Sequence, residues 1–232
     1  RFGCAPAVPG KDGDSGDHFG YAVSISGGRV LVGAERDDDN GAYSGSAYIF
    51  EKDGTAWTQK AVFHGPSQSY FGHSVSLCGN VAMIGAPSAR IDSKTSGAVY
   101  VFEYNGTSWI QRAVLTSADA VQGDQFGNSV SLSGNRAVIG AHNKCQHSPS
   151  FLSASGAAYI FEYDGTNWGQ QAKVTAFDAA SYDHFGETVA IEGNCVLIGV
   201  PRDDEYGSNS GSAYLYQWDG SAWILDRKIT DP

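Results

Sequence analysis

Two acidic stretches of the chain carry residue types that bind hard cations. The first runs from Asp37 to Gly41 and reads DDDNG, and the second runs from Asp203 to Gly207 and reads DDEYG. Clustered carboxylates beside a glycine can hold Ca²⁺ through oxygen ligands. We therefore predict Ca²⁺ ligands at Asp37 and Asp39 in the first stretch and at Asp203 and Glu205 in the second. The alternatives are a solvated acidic loop or Asx-turn chemistry.

Four cysteines offer thiol chemistry. They are Cys4, Cys78, Cys145 and Cys195. No CxxC pair occurs, which disfavours a zinc site. An even number of widely spaced cysteines is compatible with two disulfides and an oxidising compartment, with three pairings open. Free thiols are the alternative.

Other chemistry-bearing residues give weaker indications. His142, Cys145 and His147 share one insertion and could hold a transition metal, or simply lie in a surface loop. Asn105 begins an Asn-Gly-Thr glycosylation sequon, although Asn-Gly is also what a hairpin turn favours. No nucleophile elbow, HExxH, P-loop or dinucleotide fingerprint occurs, so we predict that the protein is not an enzyme.

Composition narrows the class of protein. The formal net charge of the 232 residues is −10, which disfavours binding to the phosphate backbone of nucleic acids. No apolar run reaches the roughly 18 residues of a transmembrane helix, so we expect no membrane span. Glycine contributes 30 residues and charged residues only 17%. This composition is typical of many short strands joined by tight turns.

The elements that must position these residues repeat four times. Each repeat opens on a Phe-Gly pair, and the pairs begin at Phe19, Phe71, Phe126 and Phe185. Successive pairs are 52, 55 and 59 residues apart. A period near fifty residues indicates a propeller or a repeat array. We place the repeats at residues 17–64, 69–116, 124–175 and 183–230, after a lead segment at 1–16.

One repeat reads as four antiparallel strands. In the first repeat, residues 21–25 alternate, 29–34 form an apolar run, 45–51 form a third strand and 57–63 a fourth. Asp53-Gly54 predicts a two-residue type I′ turn between the last two strands. The aspartates two residues before the phenylalanine (Asp17, Asp124 and Asp183, with Ser69 in the second repeat) are predicted to accept hydrogen bonds from turn amides.

The pairing of Phe-Gly with a later Gly-Ala-Pro resembles the FG-GAP repeat of the integrin α-subunit β-propeller. Phe71-Gly72 and Gly85-Ala86-Pro87 match it fully, and the other three repeats each change one residue of the second motif. The resemblance covers residues 17–230. It implies a propeller, but propellers of that family usually have seven blades. The family's DxDxDG calcium loop between the first two strands is absent here, so the resemblance carries over no calcium site.

We therefore expect an all-β fold: a β-propeller of four four-stranded antiparallel blades, forming one domain over residues 1–232. We expect a non-enzymatic, extracellular or cell-surface interaction module, for adhesion or as a unit of an appendage or filament. Its partners would be other proteins or copies of itself, joined head to tail. A lectin-like propeller that binds glycans is the alternative. No cofactor is required by this expectation, and Ca²⁺ is the one candidate.

Overall fold

The computed structural model describes residues 14–146 and 153–231, and every regular element in these ranges is a strand. The first two repeats contain β1 (Phe19–Ser26), β2 (Arg29–Ala34), β3 (Ser46–Asp53), β4 (Ala56–His64), β5 (Ser74–Cys78), β6 (Val81–Ala86), β7 (Arg90–Ile91), β8 (Lys94–Thr95), β9 (Ala98–Tyr104) and β10 (Trp109–Leu115). The last two contain β11 (Ser129–Ser133), β12 (Arg136–Ala141), β13 (Ala157–Tyr163), β14 (Trp168–Val174), β15 (Thr188–Glu192), β16 (Cys195–Val200), β17 (Ser212–Trp218) and β18 (Trp223–Thr230).

Each repeat forms one antiparallel four-stranded sheet in chain order. Sheet one is β1-β2-β3-β4, sheet two is β5-β6-β9-β10, sheet three is β11-β12-β13-β14 and sheet four is β15-β16-β17-β18. The short β7-β8 ribbon is an insertion in the second repeat. A bulge interrupts the pairing of the last two strands in all four sheets. The predicted all-β class and the division into four sheets are thus confirmed.

The two glycine motifs meet between consecutive sheets. The carbonyl of Gly72, which follows the phenylalanine of the second repeat, lies where a Cβ on Gly33 would have to be. Gly127 and Gly85 meet in the same way across the next interface. Any side chain at these positions would force the sheets apart. The glycine after each phenylalanine thus permits a close approach of consecutive sheets at these interfaces.

The core is divided into layers between neighbouring sheets. One cluster contains Leu31 and Ile49 from sheet one with Phe71 and Phe102 from sheet two. Two further clusters join sheets two and three and sheets three and four. The first strands β1, β5, β11 and β15 contact one another in that order. Each sheet thus buries an apolar face against the next, as repeats that cannot bury their own faces must do.

The outward face of sheet one is the exception. Phe19 is 53% exposed, whereas its counterparts Phe71, Phe126 and Phe185 are at most 1% exposed. Val23 and Ile25, on the same strand, are also largely exposed. Sheet four has a milder exposure on its own outward side, where Leu197 is 39% exposed while Leu31, its counterpart in sheet one, is fully buried. The stack therefore ends in two partly apolar faces.

The turns confirm one prediction and correct another. Asp17, Asp124 and Asp183 each accept a hydrogen bond from the amide three residues earlier, as predicted. Ser69 differs, since its hydroxyl donates to the Ser44 carbonyl. The type I′ prediction is wrong, since only the glycine of each Asp-Gly or Asn-Gly pair has a positive φ. In the last three repeats the turn is instead an Asx turn. In repeat three, for example, Asp164 Oδ1 accepts hydrogen bonds from the amides of Thr166 and Asn167.

Candidate functional site

One turn positions the candidate metal ligands, and all four repeats share it. The turn follows the second strand, and its third residue is Asp37, Ala89, Lys144 or Asp203. Its amide donates to the last residue of the strand, and its carbonyl accepts from the glycine that precedes the third strand. All four residues are buried. The backbone therefore holds this side chain inside the protein, while its chemistry varies from repeat to repeat.

In the first repeat the buried residue is an aspartate, and among the described residues no lysine forms an ion pair with it. Asp37 Oδ2 accepts a hydrogen bond of 2.7 Å from the Tyr48 hydroxyl, and Oδ1 accepts one of 3.0 Å from the Asp39 amide. Ligand atoms of Asp37, Asp39 and His64 lie within 4.8 Å of one another, a spacing that could hold a metal ion. The structure thus brings the two predicted carboxylates together and adds His64. Calcium binding there stays a prediction.

In the fourth repeat a lysine lies at the centre of the predicted site. Lys228 Nζ is 2.6 Å from both Asp203 and Glu205 and 2.7 Å from Asp178. Burial alone would lower the pKa of the amine, but the hydrogen bonds to these carboxylates raise it above its usual value. For Asp203 the directions are reversed: burial alone would raise the pKa of its carboxyl group, but the hydrogen bond from Lys228 holds that pKa below its usual range. A calcium ion at this point would have to displace the ammonium group.

The third repeat reverses the charge of the turn residue. Lys144, only 4% exposed along its side chain, donates to Asp124 Oδ2 at 2.8 Å. Asp119 accepts from Lys173 and from the Tyr159 hydroxyl, both at 2.7 Å. Burial opposes ionisation of Asp119, but these hydrogen bonds and the charge of Lys144 lower its pKa to about 2. The lysine of the third repeat thus supplies internally the positive charge that a cation would bring.

Sequence reasoning missed these lysines, although a register signal exists. Lys173 and Lys228 lie directly across the sheet from Tyr159 and Tyr214, which are equivalent tyrosines of the third strand. In the first two repeats the residue opposite that tyrosine is Val62 or Val114. Comparing the fourth strands across repeats would have shown lysine only in the repeats whose preceding linkers contain Asp119 and Asp178.

A second polar group of residues lies at the beginnings of the first strands. Glu35, a buried carboxylate, lies 2.7 Å from His73 Nδ1, and His73 Nε2 lies 3.2 Å from Asn128 Oδ1. Further along, the His142 ring lies 4.9 Å from the His184 ring. Burial, followed by the charge of His184, lowers the pKa of His142 to about 4. These residues join all four repeats at one end of the first strands.

The remaining predicted site residues are not brought together. Cys78, Cys145 and Cys195 are free thiols, so the two predicted disulfides do not form in this structure. Cys4 and His147 lie outside the described residues. The Asn105 side chain accepts hydrogen bonds from the amides of Thr107 and Ser108, which is turn chemistry. Its glycosylation stays a prediction.

The comparisons with known proteins establish the family. A family model described as the FG-GAP repeat matches four segments of the chain, at residues 8–50, 57–102, 109–161 and 168–216. The chain therefore belongs to the FG-GAP repeat family, whose repeats are found in adhesion and interaction modules. A search of curated proteins found no match. In the described ranges, no helix is long and apolar enough to cross a bilayer.

Proposed function

We propose that this protein is a non-enzymatic, extracellular interaction module whose sheets are consecutive blades of a β-propeller-like stack. We propose further that copies join head to tail through the two end faces. The family supports the interaction role, and the face-to-face packing of consecutive sheets supports the blade arrangement.

The exposed apolar side chains of β1, on the outward face of sheet one, are the observation that carries the proposal. Phe19, Val23 and Ile25 are exposed there, while the equivalent residues of the other three sheets are largely covered by the preceding sheet. These exposed side chains occupy positions that are buried in the core, or packed against it, in the other repeats. An exposed apolar patch of this kind marks an interaction face. A second copy offers the matching surface, because its sheet four presents the side that covers the next repeat inside the chain. Contact between two different faces is heterologous and continues into rings or filaments.

One difference limits the strength of such a contact. At each internal interface a serine of the first strand accepts a hydrogen bond from the next sheet: Ser24, Ser76 and Ser131 accept from the amides of Leu77, Leu132 and Ile191. In sheet four the equivalent residue is Ala190. A contact between copies would therefore lack this hydrogen bond, and we expect it to be weaker than the internal interfaces.

Sedimentation velocity over a wide concentration range tests the proposal. We expect the mean mass of the native chain to rise with concentration. A Val23→Lys and Ile25→Lys double variant should stay monomeric, whereas Thr55→Lys with Thr107→Lys, which adds the same charge on exposed turns, should not change association. Ala190→Ser should tighten association by about two- to tenfold, since a hydrogen bond contributes about 0.5–1.5 kcal/mol. A native chain that stays monomeric at every concentration would refute head-to-tail joining.

The lectin alternative receives less support. A repeat lectin needs equivalent open aromatic pockets in its repeats. Two aromatic pairs at the ends of the third and fourth strands, Tyr104 with Trp109 and Trp218 with Trp223, are instead covered by Arg29 and Arg136. Saturable binding of a glycan at several sites per chain would nevertheless favour that function over ours.

A further inference from the structure

An arginine closes the outer part of the interface between sheets one and two. The Arg29 guanidinium lies 4.5 Å from the centre of the Tyr104 ring and 5.5 Å from that of Trp109. Its Nη1 donates to Asn80 Oδ1 at 2.6 Å, and its Nε donates to Glu51 Oε1 at 2.5 Å. The group is thus held by an aromatic pair, a turn asparagine and a carboxylate. The first two come from sheet two, and the carboxylate comes from sheet one.

The interface between sheets three and four is built in the same way. The Arg136 guanidinium lies 5.0 Å from the Trp218 ring centre and 5.7 Å from that of Trp223. It donates to Asn194 Oδ1 at 2.7 Å and to Glu162 Oε1 at 3.1 Å. Two independent positions of one chain therefore use the same three kinds of contact to hold a guanidinium: an aromatic pair, a turn asparagine and a carboxylate. This recurrence indicates that the groups around the start of the second strand are suited to hold a guanidinium.

The interface between sheets two and three has the receiving groups without the arginine. The equivalent residue at the start of the second strand is Val81. The aromatic pair remains, since the Tyr163 and Trp168 rings lie 5.5 Å apart, and Asn135 occupies the turn position of Asn80 and Asn194. Glu103, the counterpart of Glu51 and Glu162, lies opposite Val81 in the sheet. Together these residues line a groove of about 720 Å³.

A neighbouring arginine does not replace the missing one. Arg112, from the bulge of β10, pairs with Glu103 at 2.8 Å, but its side chain is half exposed. Among the described residues, no guanidinium lies over the Tyr163–Trp168 pair. Tyr163 and Trp168 thus line this groove without a guanidinium over them in the described part of the chain, while Glu103 beside them is already paired with Arg112.

We propose that this groove binds the guanidinium group of an arginine side chain presented by a partner protein. The guanidinium stacks on Tyr163 and Trp168, donates to Asn135 Oδ1 and approaches Glu103. A planar, weakly hydrated guanidinium both stacks and donates in a fork, whereas an ammonium group does neither well. The net charge of −10 also favours a cationic partner. The proposal deepens the interaction function and rests on it for the source of the arginine.

A titration with small molecules measures whether the groove prefers a guanidinium, without the need for a partner protein. We would add argininamide, lysinamide or the neutral isostere citrullinamide to the native chain and follow the indole signals by ¹H–¹⁵N NMR. We expect a saturable shift of the Trp168 signal with argininamide, at least about fivefold tighter than with either control, given the preference of aromatic faces for guanidinium. Equal shifts with all three compounds would overturn the proposal.

Three variants make the assignment specific. Val81→Arg supplies the missing side chain internally and should abolish the shift. Asn135→Ala, on an exposed turn, should weaken binding without changing the fold, and it keeps the test decisive if the first variant does not fold. Arg29→Val should open a second groove, reported by Trp109. If Asn135→Ala and Val81→Arg both bind argininamide as the native chain does, the groove is not the site.

The outcome is separable from that of the proposed function. Self-association without any response to argininamide would remove the groove inference alone. A selective response in a chain that never associates would remove head-to-tail joining and leave the groove intact. Peptides that carry one arginine, compared with their citrulline versions, then test whether the source is a protein chain: equal binding of both peptides would contradict it.

Discussion

The internal interfaces and the end face of sheet one use the same residues to opposite effect. Phe126 is fully buried between sheets two and three, where it packs edge-on against Tyr159. Phe19 makes the same edge-on contact with Tyr48 of its own sheet, but in the part of the chain that the structure describes no preceding sheet covers it. One repeat motif thus produces a core residue at one position and an exposed patch at another. The difference lies in the neighbouring sheet and not in the motif.

The comparison separates what a repeat specifies from what its position in the array specifies. The motif specifies the strand order, the turns and which face is apolar. The position decides whether that face is covered, and so whether the same side chain contributes to stability or remains available for binding. In repeat proteins, stability is approximately the sum of repeat and interface contributions. The effects of equivalent mutations on stability should therefore differ most between a residue that a neighbouring sheet covers and one that it does not.

The largest expected difference is between two phenylalanine truncations. Phe126→Ala should lower the free energy of unfolding by about 3–5 kcal/mol, because it leaves a cavity in a closed interface. Phe19→Ala should cost less than about 1 kcal/mol, because that side chain is already half in water. Urea unfolding of both variants at low protein concentration measures the difference. Comparable losses would mean that the face of sheet one is covered in solution.

The lysine cluster of sheet four should give the next largest effect. Lys228→Met removes the cation that three carboxylates share and leaves their charges close together. We expect the free energy of unfolding to fall by about 2–4 kcal/mol at neutral pH, because removing the ammonium leaves partly buried carboxylates without a compensating positive charge. Lys60→Met, on an exposed position of β4, is the matched control and should change stability by less than about 0.5 kcal/mol.

Adding Ca²⁺ to the Lys228→Met variant tests whether the three carboxylates can bind a metal cation. If the ammonium occupies the place of a cation, Lys228→Met should regain stability when Ca²⁺ is added, whereas the native chain should not respond through this cluster. Thermal unfolding with and without 5 mM Ca²⁺, on the order of a weak extracellular site, makes the comparison. No Ca²⁺ response in the variant would mean that the carboxylates are not a cation site even without the lysine.

The strands and turns of this fold could be predicted from the sequence, whereas the contacts between residues distant in the sequence could not. Strand positions and the turn role of Asp124 follow from local pattern, because each depends on backbone geometry within one repeat. The pairing of Lys228 with Asp203 and Glu205 joins a strand to a loop some 25 residues earlier. The covering of Trp218 by Arg136 joins two sheets. Neither follows from the periodicity of a single repeat.

The smallest of these effects depends on pH and comes from the histidine pair at the interface of the last two repeats. His184 is buried beside His142 at the interface of the last two repeats, whereas His18 lies at the open end beside Glu35. Burial and the neighbouring His184 lower the pKa of His142 to about 4 in the folded state, against 6.5 for the unperturbed side chain.

The folded protein therefore binds fewer protons than the unfolded chain between these two values. The contribution of His142 to stability is fully present above pH 6.5 and is lost as the pH falls toward 4. We expect His142→Gln to reduce by about 1–2 kcal/mol the loss of stability of the native chain over this range. Urea unfolding at half-unit pH steps compares the variant with the native chain. If His142→Gln retains the full pH dependence, the burial of His142 between the last two repeats is not its cause.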